Sequence, residues 1–97
     1  LMDPNPGRTN SIAPGKRILS SMSPTLVMKD GKPFMAIGTP GGVRIFGTVM
    51  QGIINVIDHG MTLQEAVEAP RLWDRGPVLE IEQGFEDLAG LTGELER

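Results

Sequence analysis

The 97 residues predict an α/β (α+β) domain, an antiparallel sheet with a helical hairpin packed on it. Three observations carry that class. Asp30-Gly31 stands between two apolar runs, the strongest short-range hairpin signal. Apolar residues from Ile45 to Ile57 recur at helical spacing. Thr62-Leu63-Gln64-Glu65 has the form of a capping box that opens a second helix.

Taken in order, residues 1–19 hold Pro4, Pro6, Gly7, Pro14 and Gly15 among Asn, Ser and Arg, without an apolar period. They read as an extended arm, and residues 20–97 read as a single α/β domain. Thr25-Leu26-Val27-Met28 and Phe34-Met35-Ala36-Ile37 form the two strands of the hairpin. Neither run alternates cleanly, which predicts a sheet covered on both faces. After Gly41-Gly42, the polar residues Arg44, Thr48, Gln51, Asn55 and Asp58 fall at steps of three or four. The apolar residues between them give a wide face, hence a mostly buried helix. Gly60 can take the left-handed conformation that caps its end. The second helix must stop at Pro70. Val78-Leu79-Glu80-Ile81-Glu82 alternates apolar and acidic residues, as an edge strand does. Leu88, Leu91 and Leu95 are spaced for a last helix that Gly90 and Gly93 weaken.

Composition narrows the function. A net charge of -3 with no basic cluster argues against nucleic acid and anionic membranes as partners. The apolar stretch from Val43 to Ile57 is too short to span a bilayer. With no cysteine, disulfides and thiol catalysis are excluded. The chain opens at Leu1 with neither methionine nor a basic and apolar leader, and so reads as a piece of something longer.

Two segments can carry chemistry. Gly41-Gly42 falls where a strand ends and a helix begins, so unpaired amides and the positive end of the helix dipole face one small volume suited to an oxyanion. By itself the segment reads as readily as a tight turn. Ser20 and Ser21 place adjacent hydroxyls before a strand and can hold a carboxylate, although exposed loop serines are ordinarily inert. A serine triad would need a base, and the single histidine, His59, falls at the far end of the long helix. His59 is explained by the helix C-terminus, where a positive charge is favourable. Arg44, Arg71, Arg17 and Lys16 suit anions, or else structural ion pairs and carbonyl bonds. Trp73 and the methionines suit packing. The acidic residues are scattered, so no metal and no cofactor is expected.

The ordered motifs Ser-Ile-Ala-Pro-Gly-Lys-Arg, Leu-Ser-Ser-Met-Ser-Pro-Thr, Lys-Asp-Gly-Lys, Gly-Thr-Pro-Gly-Gly-Val-Arg-Ile and Glu-Ala-Pro-Arg closely resemble the C-terminal part of the small subunit of gamma-glutamyltranspeptidases. These are members of the N-terminal nucleophile hydrolase superfamily. The resemblance runs from Asn10 to Arg71. It implies a four-layer α/β/β/α enzyme whose precursor cleaves itself, so that a threonine becomes the new N-terminus and attacks the gamma-glutamyl carbonyl. By the same resemblance, Ser20 and Ser21 match the serines that hold the glutamyl α-carboxylate, and Gly41 and Gly42 match the oxyanion hole. Thr39 and Val43 stand where the family often has serine. None of the threonines here matches the nucleophile motif.

The resemblance thus implies a fragment that binds a gamma-glutamyl substrate such as glutathione without turning it over alone. Its partners would be the rest of the small subunit and the large subunit. Family members are often periplasmic or secreted. Two other readings stand beside it: a self-associating module that forms homo-oligomers, and a fragment of a related acylase such as a cephalosporin acylase.

Overall fold

The structure is a computed structural model, and it describes residues 2–84. The expected helix at Leu88 to Leu95 lies outside the described residues. The chain divides into two compact units, with the boundary between Phe46 and Gly47.

The first unit is built on a β-hairpin, with β1 at Thr25–Lys29 and β2 at Lys32–Ile37. Asp30 (φ 51°) and Gly31 (φ 73°) both have positive φ. That is the type I′ geometry whose twist matches the strands it joins. Thr25 pairs with Ile37, Leu26 with Ala36 and Val27 with Met35. The register then shifts so that Met28 meets Pro33. Phe34 is the extra residue of this bulge, and the Lys29 ammonium lies 5.7 Å from its ring centroid. Met35 and Ile45 are the buried apolar side chains of this unit. Cover on both faces of the hairpin was expected, but Leu26 is 71% exposed. The described residues cover one face only.

Ahead of the hairpin, residues 3–11 close a turn within the Pro/Gly-rich arm. Asp3 N–H donates to the Asn10 carbonyl (2.8 Å) and Ile12 N–H to that of Asp3 (3.2 Å). Ser11, buried, accepts from Arg8 N–H at 2.7 Å and donates to the Asn5 carbonyl. The backbone and side-chain N–H groups of Asn5, followed by Arg8, hold the Asp3 carboxyl below its ordinary range.

A 3₁₀ turn at Gly42–Arg44 leads directly into α1, Ile45–Ile57. Ile45, Val49 and Gly52 are buried, whereas Phe46, Met50 and Ile57 are more than half exposed. The helix therefore buries a narrower stripe than its apolar pattern predicts. Its end follows the sequence reading. Asp58 and His59 N–H both return to the Ile54 carbonyl, and Met61 N–H reaches that of Asn55 at 3.0 Å. Gly60 sits at φ 66°, in the left-handed conformation that ends a helix.

The second helix, α2, spans Leu63–Glu68 behind the expected capping box. Glu65 N–H donates to Thr62 Oγ1 (3.2 Å), and Thr62 N–H donates to Glu65 Oε2 (2.8 Å). After Pro70 the chain forms a second hairpin, β3 at Leu72–Asp74 and β4 at Leu79–Ile81. Leu72 pairs with Ile81 and Asp74 with Leu79. The alternation at Val78 to Glu82 predicts β4. Its partner β3 carries no such signal, because three residues between Arg71 and Arg75 are too few to show a period. At the hairpin's open end, Arg71 forks onto Glu82 with Nη2 3.0 Å from Oε1, and Glu82 N–H bonds the Arg71 carbonyl. No helix among the described residues is long and apolar enough to cross a membrane.

The capping box makes α2 sensitive to acid. Hydrogen bonds from Thr62, that from its backbone N–H first, favour the ionised carboxylate and lower the Glu65 pKa. The stabilisation is therefore complete above the ordinary glutamate value and is lost as pH falls through the lowered one. Carboxyl and amide NMR shifts should follow one such titration, with the α2 amides moving with Glu65 and Glu65→Gln removing the dependence. A Glu65 carboxyl that titrates at or above the free value would contradict this.

Candidate functional site

The residues singled out by the sequence flank the first hairpin. Ser20 and Ser21 lie on the approach to β1, where short-range hydroxyl bonds hold the backbone. Met22 N–H donates to Ser20 Oγ at 3.2 Å, Ser23 Oγ donates to the Ser21 carbonyl at 3.1 Å, and Thr25 Oγ1 donates to the Ser23 carbonyl at 3.1 Å. Such local bonds compete with regular structure and keep the segment from joining the strand. The Ser20 hydroxyl accepts in this ladder, so its hydrogen stays available to an anion. The Ser21 hydroxyl takes no part in it.

Gly41 and Gly42 lie on the other side of the hairpin, between β2 and α1. Gly41 has φ 141° and ψ 11°, and Gly42 has φ 59°. Only glycine takes the first of these without strain. A Cβ on Gly41 would meet nothing nearer than 3.8 Å, so the backbone, not space, demands glycine there. The Gly41 carbonyl accepts from Arg44 N–H (3.1 Å) and that of Gly42 from Ile45 N–H. Both carbonyls thus turn into the helix and the leading amides turn away from it. No side chain caps this terminus, and the Thr39 hydroxyl is directed to the Pro40 carbonyl at 3.0 Å. The result is a short row of amides at the positive end of a helix dipole, able to stabilise negative charge.

One pairing relates the two segments. Thr25 and Ile37 are cross-strand partners, so the start of β1 and the end of β2 lie at the same end of the hairpin, opposite the Asp30-Gly31 turn. Ser21 precedes Thr25 by four residues and Gly41 follows Ile37 by four. Ser20, Gly41 and Gly42 are exposed and Ser21 is partly so.

The remaining candidates have other partners. Arg71 is held by Glu82, and Lys16 Nζ donates to the carbonyls of Arg8 and Thr9, both at 3.3 Å. His59 follows the C-terminal end of α1, whose length of about 20 Å separates it along the helix axis from the glycine pair. It borders a shallow groove with Gly60, Met61, Glu65, Glu68 and Ala69. Among the described residues, no three His, Asp or Glu side chains gather as metal ligands. By its spacing Gln51 is simply one of the polar-face residues of α1. In the structure its amide bonds both backbone groups of Leu72.

The model of the gamma-glutamyltranspeptidase family matches residues 1–93. The Acylase ACY 1 proenzyme of Pseudomonas sp. (strain SE83) is 54% identical over 85 residues, which make up 88% of this chain and 15% of that protein. The glutathione hydrolase proenzyme of Escherichia coli (strain K12) is 48% identical over 81 residues, 81% of this chain and 14% of that protein. The chain therefore spans only a small part of the curated relatives it matches. Among solved structures, a mutant gamma-glutamyltranspeptidase of Helicobacter pylori is similar over 92% of this chain and 50% of its own, with a TM-score of 0.79 and 44% identity. With sequence and fold in agreement over nearly its whole described length, the chain belongs to the gamma-glutamyltranspeptidase family of the N-terminal nucleophile hydrolase superfamily.

Proposed function

We propose that this chain is the later part of the small subunit of an autoprocessing gamma-glutamyltransferase, and that it supplies donor recognition and the oxyanion hole. The observation that carries the reading is the Thr25–Ile37 pairing, which brings the serine pair and the glycine pair out at one end of a hairpin. Ser20 and Ser21 donate hydrogen bonds to the α-carboxylate of a gamma-glutamyl donor such as glutathione. An N-terminal threonine lying outside this chain attacks the gamma-glutamyl carbonyl, and its own α-amine takes the proton. The negative charge that develops on the carbonyl oxygen is met by the amides of Gly41 and Gly42. Collapse of the tetrahedral intermediate expels the amine with that proton. The acyl group then passes to an amino acid, a peptide or water.

A second reading changes the acyl donor and keeps the geometry. It is favoured by the likeness to an acylase proenzyme over most of the chain. Both readings leave the chain alone inactive. The apolar side chains at its surface, Met22 at 75% and Leu26 at 71% exposure among them, fit a piece whose neighbours are supplied by the rest of a larger protein.

Three measurements test this. The isolated chain, given a chromogenic gamma-glutamyl amide, should show no turnover, while a precursor that carries the chain together with the upstream threonine should process itself and turn the amide over. Turnover by the isolated chain would refute the assignment of the nucleophile. In the processed enzyme, Ser20→Ala or Ser21→Ala should raise the donor KM about tenfold, the worth of one hydrogen bond to a charged group. Gly41→Ala instead forces a backbone strain of about 1–3 kcal/mol at φ 141° and should lower kcat about a hundredfold. Wild-type kinetics in all three variants would remove both segments from the site. Finally, sedimentation of the isolated chain should show association that grows with concentration, as expected of uncovered apolar faces. A monomer at every concentration would set that expectation aside.

A further inference from the structure

We infer that Gln51 is a positioning residue for the glycine-pair amides, acting through α1; the inference rests on the oxyanion role proposed above. Gln51 Nε2–H donates to the Leu72 carbonyl at 2.9 Å, and Leu72 N–H donates to Gln51 Oε1 at 3.0 Å. A side-chain amide thereby takes the place of a β-ladder neighbour and satisfies both backbone groups of one strand residue. The same Nε2 also donates to the Gly47 carbonyl one turn earlier, at 3.1 Å. Gln51 is tied to its own helix and to β3 at once.

A second contact lies on the same face. A Cβ placed on Gly47 would come within 2.7 Å and 2.9 Å of carbon atoms of the Trp73 ring, so helix and strand approach as closely as only glycine permits. Gly47 and Gln51 stand four residues apart and therefore share a face of α1. They grip consecutive residues, Trp73 and Leu72. The ring limits how near the helix comes, and the paired hydrogen bonds set how far along the strand it sits, since a slip of one residue breaks both. Apolar packing around Val49 alone would not fix that register, because dispersion contacts are non-directional. The strand is in turn anchored by the Arg71–Glu82 fork.

Helix α1 runs unbroken from Ile45 through Ile57, and the glycine pair leads into it through the 3₁₀ turn. The direction of the leading amides therefore follows the direction of the helix. Donor binding rests on a different segment, Ser20-Ser21. Loosening the clamp should weaken stabilisation of charge that exists only in the transition state, and so should lower kcat and leave the donor KM in place.

The test is made on the autoprocessed enzyme containing this chain, with kcat expressed per active site titrated by a covalent gamma-glutamyl inactivator, so that partial unfolding does not register as slow chemistry. Gln51→Leu should lower kcat about tenfold with KM within twofold of wild type, since misplacement of reacting groups by a fraction of an ångström carries penalties of this order. Gln51→Glu keeps the acceptor for Leu72 N–H and should lose less. Gly47→Ala should also lower kcat, and Trp73→Leu in the same chain should restore part of it by removing the ring that the new methyl meets. If Gln51→Leu does not fold, Gln51→Glu and the Gly47→Ala and Trp73→Leu pair decide the matter. Unchanged kcat per site, or a fall in kcat matched by a rise in KM, overturns the positioning role and leaves the proposed function standing. An unsubstituted enzyme without turnover of any gamma-glutamyl donor overturns the proposed function and this inference with it.

Discussion

Antiparallel pairing across a two-residue turn is the constraint on which the first unit depends. Once Asp30 and Gly31 both adopt positive φ, the strands must fold back with Thr25 opposite Ile37. Whatever precedes β1 and follows β2 then leaves from a common end. The residues there are unsuited to continuing the sheet: a ladder of serine and threonine hydroxyls on one side, and a proline with two positive-φ glycines on the other. Termination of the strands and presentation of polar groups are therefore one event. Donors at the end of a rigid hairpin lose little entropy on meeting an anion, which is what transition-state recognition requires.

The two segments differ in how they hold their donors. Hydroxyls rotate, and the Ser20–Met22 bond shows one already engaged with the backbone. Backbone amides cannot rotate independently of the chain, so at Gly41-Gly42 orientation is set by φ and ψ alone. A glycine at φ 141° costs more to order than other residues, yet any replacement would carry a permanent strain. This division suits the tasks proposed for the two segments. A stable carboxylate tolerates adaptable donors, whereas a short-lived oxyanion needs donors that are already aimed.

What was legible in the sequence was what short-range chemistry determines. Asp30-Gly31 forces its turn, Thr62 with Glu65 closes its box, and Gly60 ends α1, each within six residues of chain. The candidates Ser20, Ser21, Gly41 and Gly42 come from family motifs, since hydroxyls and glycines alone do not distinguish a site from a loop. The misses involve partners far apart in sequence. β3 is a strand because β4 and Gln51 satisfy its backbone, not because Leu72-Trp73-Asp74 has a strand's pattern. Gln51 looked like a solvent-facing polar residue because the group it serves lies 21 residues away. Half the apolar face of α1 and one face of the first hairpin were expected to be covered, and in the described residues they are not.

That last discrepancy has a physical reading. A continuous apolar strand such as Leu26-Val27-Met28 is selected by burial on both sides, and no hydrophobic gain offsets its exposure in water. Among the described residues, the buried apolar side chains are Met35, Ile45, Val49 and Ala66. The pattern therefore encodes neighbours that the described residues do not supply, as it should in a chain matching about one-seventh of its curated relatives. Local elements still form, because turns, caps and ion-paired hairpin ends are satisfied from within a few residues. Tertiary cover is the non-local term, and it belongs to the whole protein. Secondary structure can therefore be complete in a stretch of chain whose tertiary cover is not.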